Sequence, residues 1–533
     1  DVLQKTARIL AENRPGTIIW AMGGTQHTNG TSNTRSYCAL QLVLGNMGKA
    51  GGGANVFRGH DNVQGATDLG VLSNTLPGYY GLSKGAYKHW SNVWGVDENW
   101  LAGRFANEKI QHKVGFTVAR WYEGVLMDPS ELGQDQNVHA VFYWGHSTNC
   151  ESQMDRVKTA LDKVDLLVDI DPFVTTTSIL PDRKDGVYML PAATVYEQSG
   201  SVTNSNRDIQ WRNKVVKPVW ESRTDLEIIM ELSDRLGFGR EFKKNRNGAW
   251  KELPEDITRE WNLGMRTIGM TGQTPERMKR QQEWGHAFDL KTKIAEGGPV
   301  DGEQWGLPWP CWTEKHPGTH ILYRDSIPVA KGGLGFRARW GTKAPDGKTL
   351  LAGRGSAPPK SSIDEGYAEM KNWKTDLTGR VFEEAISKGL APYGNGRARF
   401  KVWQFAKKGG DDVPKHREPI HSPRPDLITK WVTYDDVKDH YRVPTLYKSL
   451  QKKDWSKNYP LILSTGRQVE FEGGGNSERN CWWLVELQPE MYAEIHPRLA
   501  NDNRIKHGDW IWIESPEDLD GEPSRIKVKA KVT

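Results

Sequence analysis

Short apolar runs closed by glycine-rich polar turns alternate with amphipathic stretches at both ends of the chain, and the middle breaks that rhythm. Leu3, Ala7 and Leu10 recur at helical spacing, and Asn13-Arg14-Pro15-Gly16 stops that helix. Thr17 to Met22 (T-I-I-W-A-M) is an apolar run suited to a buried parallel strand. It breaks at Gly23 to Gly30, and a helix follows with Tyr37, Leu40, Val43 and Leu44 facing inward, ended by Gly45-Asn46-Met47-Gly48. The pattern returns at the strand His139 to Trp144, the polar turn Gly145 to Asn149, and the helix Ser152 to Val164 with Met154, Val157 and Leu161 on one face. A strand from Asp165 to Ile170 runs into Asp171-Pro172-Phe173-Val174-Thr175-Thr176-Thr177, and Gly186 to Leu190 adds another. Glu197 to Arg207 reads as a polar hairpin, and Thr224 to Leu236 as a helix burying Leu226, Ile229, Met230 and Leu236. Strands alternating with helices predict an α/β fold with parallel sheets, whose ligand loops follow the carboxyl ends of the strands.

Between about Gly239 and Tyr459, Trp, Pro, Gly and charge mix with little periodicity, as in Pro308-Trp309-Pro310-Cys311-Trp312. Such segments usually wrap the outside of a large enzyme or contact another subunit. Gln451-Lys452-Lys453-Asp454 reads as a solvated linker. Order returns with a strand at Pro460 to Ser464, a second at Tyr492 to Pro497, and a third at Trp510 to Ile513 after the turn Gly508-Asp509. Short strands at this spacing predict a small β-barrel. The expected divisions are 1–57, part of one α/β domain; 58–238, a second α/β domain; 239–458, the irregular region; and 459–533, the barrel. Asp1 falls inside a helix already under way, and Ile526 to Thr533 stops within a strand pattern. Both ends read as those of an internal piece of a longer protein.

Composition narrows the function classes. Of the 533 residues 37% are hydrophobic and 26% charged, as in ordinary globular proteins, and no apolar run is long enough to span a bilayer. A net charge of +5 spread among many acids argues against a nucleic-acid partner. Cys38, Cys150, Cys311 and Cys481 form no C-x-x-C pair, so local cysteines build neither a zinc site nor an iron–sulfur cluster. They are expected as buried structural thiols.

The chemistry concentrates in Val56 to Gly70, V-F-R-G-H-D-N-V-Q-G-A-T-D-L-G. Glycines permit close backbone approach, and the Asn and Gln amides donate and accept together, which suits a polar heterocycle. Arg58 offers a planar fork of donors matched to a carboxylate. The stretch thus reads as a loop for a large polar cofactor with a small anion beside it, or as a solvated loop rich in turn formers. Asp171, at a strand's carboxyl end, is open between receiving a ribose or purine and capping the next helix.

Five motifs in order resemble the catalytic subunits of molybdenum- or tungsten-dependent formate dehydrogenases, within the molybdopterin-guanine-dinucleotide (dimethyl sulfoxide reductase) superfamily. They are Gly24 to Thr31; Leu44 to Gly48 leading to Arg58-Gly59-His60-Asp61-Asn62-Val63-Gln64-Gly65; Gly145 to Asn149 with Asp171 to Thr177; Leu190-Pro191-Ala192-Ala193 through Arg207 and Gln210; and Thr465-Gly466-Arg467-Gln468 with the E-G-G-G run that follows. The resemblance covers roughly the first 240 residues and the last 75. It implies Rossmann-like domains binding a pterin dinucleotide, a terminal barrel of the double-psi type, and formate oxidised to CO2, or the reverse, at a Mo or W bis-molybdopterin guanine dinucleotide.

By the same resemblance Arg58 grips the formate carboxylate, and His60 either moves a proton or props the cofactor. Gln26, His27, Gly59, Asn62, Gln64, Gly145, His146, Asn149, Asp171, Thr175, Arg207, Gly466, Arg467 and Gln468 are the implied cofactor contacts, with Asp171 on a guanine edge. The partners implied are an iron–sulfur electron-transfer subunit and, further off, a membrane cytochrome b subunit. The location implied is periplasmic, with cytoplasmic as the alternative. Two features depart from the family. No cysteine here precedes a histidine, so the selenocysteine or cysteine that ligates the metal is missing, and so is the cysteine cluster for a [4Fe–4S] centre. In the family both lie before the position of Asp1, so no metal ligand is assigned in this chain. A related oxidoreductase acting on nitrate or thiosulfate, or a cofactor-free structural subunit, are the competing readings.

Overall fold

The computed structural model describes residues 1–322 and 457–533 apart from short stretches (28–29, 73–74, 83, 106–115, 246, 252, 266–267, 472–474, 476–477 and 517–523). It also describes 342–343, 349–351, 413–416, 425–428 and 430 in between. Two compact units result, one from Asp1–Gly115, Ala192–Lys407 and Asp411–Pro414, the other from Phe116–Pro191, Lys408–Gly410 and Lys415–Thr533. The architecture is mixed α/β with parallel sheets.

In the first unit the strand Thr17–Trp20 pairs in parallel with Gly53–Val56, and the helix Gly30–Val43 makes the crossover. The strand is not buried as its composition predicts: Ile19 is 51% exposed, because a two-stranded sheet has no inner strand. Nor does the helix turn its apolar face inward. Leu40 and Val43 are exposed while Gln41 is buried, its amide donating to the carbonyls of Gly16 and Gly53 and its Oε1 accepting from Asn46 at 2.8 Å. One polar side chain thereby ties both strand starts to the helix, a need that outranks the apolar stripe.

The same unit holds the largest apolar core. Tyr87, Trp90, Ile209, Trp211, Trp261, Met265, Ile268, Met270, Met278 and Trp309 pack together there. Residues 239–322 are therefore not a peripheral wrapping, as their weak periodicity predicts. Two helices, Leu253–Gly264 and Pro275–Glu283, carry tryptophan and methionine into the core, and Trp309, Cys311 and Trp312 are buried with them. The rest of the 239–458 stretch, including the expected linker at 451–454, falls mostly outside the described residues. Gly264 permits the close approach. A Cβ there would lie 2.6 Å from the Trp90 ring, and the Gly264 carbonyl accepts from Tyr80 at 3.1 Å and meets His89 Nε2 at 2.8 Å. Gly264→Ala is expected to lower stability by roughly 1–3 kcal/mol through overpacking, read as a lower denaturation midpoint of the full-length protein.

The helix Asp225–Arg235 starts at a capping box, Thr224 with Glu227, as the T-x-x-E spacing dictates. Its buried face is Ile228, Met230 and Ser233. Ile229 and Leu236, expected inside, are exposed. The polar hairpin is present as Gly200–Thr203 paired antiparallel with Ile209–Arg212.

The second unit contains a parallel sheet in the order Ala140–Trp144, Leu166–Asp171, Tyr188–Pro191. The helix Met154–Lys163 connects the first pair and buries Val157, Ala160 and Leu161 against Tyr122, Tyr143 and Leu167. At the C-terminus, Tyr492–Ile495, Arg525–Val532 and Trp510–Glu514 form a three-stranded mixed sheet with Arg525–Val532 central. Among the described residues these strands do not close a barrel. Pro460 to Ser464 forms no strand: with no partner for its backbone, Leu461, Ile462 and Leu463 stay exposed. Of the four cysteines only Cys311 is buried; the other three are half-buried, and all are unpaired thiols. No helix among the described residues is long and apolar enough to cross a membrane.

Candidate functional site

In the first unit Arg58 follows the strand Gly53–Val56, and Gly59, at φ +86°, turns the chain back. The short helix Val63–Asp68 then points Gln64, Thr67 and Asp68 to one side, since residues three and four apart share a helix face. Arg58 Nη1 donates to Gln64 Oε1 at 2.7 Å and Nη2 to Thr67 Oγ1 at 3.0 Å. Gln64 Nε2 donates onward to Asp68 Oδ1 at 2.8 Å. Asp68 is completely buried and also accepts from the Tyr79 hydroxyl at 2.7 Å and from Trp309 Nε1 at 2.8 Å. Burial pushes its carboxyl up to about 6, although Tyr79, Trp309, Gln64 and the Arg58 charge all favour the carboxylate.

Two further contacts hold this segment to the hairpin. The Arg58 N–H donates to Ser205 Oγ at 3.1 Å, and Asn62, at φ +61°, accepts the Thr203 N–H at 3.0 Å. Arg207 spends its guanidinium on the carbonyls of Trp309, Thr319 (2.8 Å) and His320 (3.1 Å), which braces the backbone behind Trp309. His60 is exposed. Gln26 and His27 are exposed at the end of the short helix Met22–Thr25, with His27 Nε2 2.7 Å from the Gly23 carbonyl.

In the second unit the candidates gather at the carboxyl ends of Ala140–Trp144 and Leu166–Asp171. Gly145 has φ +58° with open space where a Cβ would be. The loop after it leaves Ser147 Oγ, Thr148 Oγ1 and Asn149 Oδ1 buried without hydrogen-bond partners, and Asp169 Oδ1 likewise. Each such atom costs on the order of 1–3 kcal/mol unless something polar meets it. Thr175 caps the turn Thr176–Ile179, accepting the Thr177 N–H, and donates to Asp169 Oδ2 at 2.8 Å. Burial raises the Asp169 carboxyl above the usual carboxylate range. Asp171 accepts the Phe173 N–H at 3.2 Å. His146 stacks on Tyr143 and lies 3.6 Å from Cys150 Sγ and 3.5 Å from Glu151 Oε1. The Cys150 sulfur, then Glu151, hold its imidazole up to about 10 against burial. Near the C-terminus Gly466 and Arg467 are exposed and outside any helix or strand, and Gln468 Nε2 donates to the Glu490 carbonyl at 3.0 Å. The E-G-G-G run falls mostly outside the described residues. Among the described residues no group of three or more His, Cys, Asp or Glu is arranged to hold a metal ion.

Asp68, Thr67, Tyr79, Trp309 and Asp169 are not among the contacts expected from sequence, and Ser147 and Thr148 lie within the Gly145 to Asn149 motif without being singled out in it. Asp68 carries a legible signal, four residues after Gln64 on one helix. Trp309 carries none, because it arrives from 241 residues away.

The orphaned polar atoms after Gly145 fit a polar, nucleotide-like group at the strand ends, and comparison with known proteins bears on what that group is. Residues 4–235 match the family model of the molybdopterin oxidoreductases, and residues 461–533 that of the molybdopterin dinucleotide binding domain. The chain carries a molybdopterin oxidoreductase domain and a molybdopterin dinucleotide binding domain. It is 26% identical to the formate dehydrogenase subunit alpha of Megalodesulfovibrio gigas, over 94% of this chain and 54% of that protein. It is 25% identical to the formate dehydrogenase-O major subunit of Escherichia coli, over 100% of this chain and 56% of the relative. The F420-dependent formate dehydrogenase subunit alpha of Methanocaldococcus jannaschii is 31% identical over 62% of this chain and 41% of its own length. The chain thus spans about half the length of the curated relatives it matches. The dinucleotide binding domain at residues 461–533 supports a molybdopterin cofactor.

Proposed function

We propose that the full-length protein oxidises formate to CO2 at a Mo or W centre carried by molybdopterin guanine dinucleotide, with Arg58 as the grip on the substrate carboxylate. The observation that carries this reading is the hydrogen-bonded setting of Arg58. Gln64 and Thr67 hold its guanidinium above a buried carboxylate, so the fork presents a fixed cation to a small anion. Formate offers only a carboxylate and a C–H bond, and its oxidation releases a proton and two electrons (HCOO⁻ → CO2 + H⁺ + 2 e⁻). The metal and its pterins, when bound, accept the electron pair. This chain's own part is to orient the carboxylate by a charge-assisted pair and to release CO2 as that charge is lost.

His60, beside Arg58 in sequence, is the candidate for moving a proton near the reacting carbon. Ser147, Thr148, Asn149 and Asp169 supply unsatisfied polar atoms, and Gly145, His146, Asp171 and Thr175 the surrounding wall, for one dinucleotide. Gln26, His27, Gly59 and Asn62 are proposed as pterin contacts, with Arg207 as a brace and Gln64, its amide committed to Arg58 and Asp68, as a prop for the guanidinium. Gly466, Arg467 and Gln468 are proposed to cover the cofactor from a terminal barrel. A [4Fe–4S] centre and the metal's protein ligand are assigned to segments of the parent beyond this chain. Electrons leave through an iron–sulfur subunit, and the periplasm is the proposed location.

The test is steady-state turnover of the full-length enzyme with a viologen dye, with formate and nitrate supplied in parallel and pterin measured after denaturation. Formate-dependent dye reduction with bound pterin is expected. Nitrate-dependent turnover without formate activity would move the protein to another branch of the family, and absence of pterin would make it a structural subunit.

A further inference from the structure

We propose that Asp68 is a positioning residue that sets the orientation of Arg58 through the Gln64 amide, a role that rests on reading Arg58 as the formate anchor. Hydrogen-bond polarity links the three side chains. A carboxylate only accepts, so the Gln64 side chain must turn its NH2 group toward Asp68 and its carbonyl away from it. That carbonyl is the atom 2.7 Å from Arg58 Nη1. The direction of the whole relay, guanidinium to amide to carboxylate, therefore follows from residue 68 being an acid.

Asp68 is itself held in place. Tyr79 OH and Gln64 Nε2 share Oδ1 at 2.7 and 2.8 Å, and Trp309 Nε1 takes Oδ2 at 2.8 Å. The Trp309 carbonyl in turn accepts from Arg207. Three donors from three separate parts of the chain thus converge on one fully buried carboxylate. Thr67, the other acceptor for Arg58, lies on the same short helix and is set by the same packing. An asparagine at 68 can donate as well as accept. It removes the polarity constraint and lets the Gln64 amide flip, presenting NH2 to the guanidinium and releasing it from its direction.

Formate kinetics of the full-length enzyme test this with Asp68→Asn, Gln64→Met, Arg58→Ala and the two doubles that include Arg58→Ala, with pterin content measured throughout. Gln64→Met keeps side-chain length and removes only the amide, so it decides the matter alone if Asp68→Asn fails to accumulate. Each of the two single variants is expected to raise the formate KM roughly tenfold, with kcat within about twofold and pterin unchanged. Neither is expected to add to Arg58→Ala, because groups acting as one unit are non-additive. Arg58→Ala raising KM while Gln64→Met and Asp68→Asn leave it unchanged would overturn the positioning role and keep the anchor. So would full additivity in the doubles, or loss of pterin in either single variant. An unchanged KM in Arg58→Ala would overturn the anchor reading itself.

Discussion

Arg58→Ala in the full-length protein is expected to raise the formate KM about 100-fold, a loss of about 3 kcal/mol, while pterin content stays near wild type. The size follows from what is removed. Truncating one partner of a desolvated, charge-assisted pair commonly costs about 2–5 kcal/mol. Arg58→Lys recovers only part of the loss, because an ammonium keeps the charge but cannot reproduce the two parallel bonds of a planar fork. The fold tolerates the change. Arg58 is half-buried, its side-chain bonds go to Gln64 and Thr67, and neither of those is left a buried unpaired charge. Formate kinetics at several concentrations check this, with kcat separating loss of grip from loss of chemistry.

Arg277→Ala is expected to be the most damaging single change to stability in the first unit, costing about 3–5 kcal/mol. Arg277 is buried on the helix Pro275–Glu283 and binds Glu303 through both Nε (3.0 Å) and Nη2 (2.7 Å). It also donates to the carbonyls of Gly272 (2.8 Å), Thr313 (3.2 Å) and His316 (2.9 Å). Removing it strands Glu303, whose other oxygen accepts from the buried Gln281, and leaves those carbonyls short of a donor. Because Trp309 and Cys311 belong to the same folded segment, Asp68 loses part of its support as well. A large drop in denaturation midpoint, together with a raised formate KM, is the expected pair of readouts. Unaltered stability would mean that water replaces the guanidinium, contrary to its burial.

Much of the local architecture is legible in the chain because it rests on short-range rules. Leu166 to Asp171 is an apolar run of strand length between a helix and a turn, and Thr224 with Glu227 spells a capping box. Which face of a helix is buried is set by distant partners. Gln41 inside Gly30–Val43 answers to carbonyls at 16 and 53, so an apolar count points the wrong way. The tryptophan-rich segment before residue 322 looks irregular because its packing has no period, yet it closes the largest core. The same division runs through the site. Arg58, Gln64 and Asp68 lie within eleven residues and their spacing can be read, whereas Tyr79 and above all Trp309 join them only through the fold. Pro460 to Ser464 carries strand-forming side chains, but a strand needs a neighbour, and none pairs with it among the described residues.

The most direct test of the central claim is a structure of the full-length, pterin-loaded enzyme with a formate-sized anionic inhibitor, azide, bound. Azide is expected within hydrogen-bond distance, about 3 Å, of the Arg58 guanidinium, with Gln64 still bridging to Asp68. Azide bound at the cofactor but out of reach of Arg58 would contradict it.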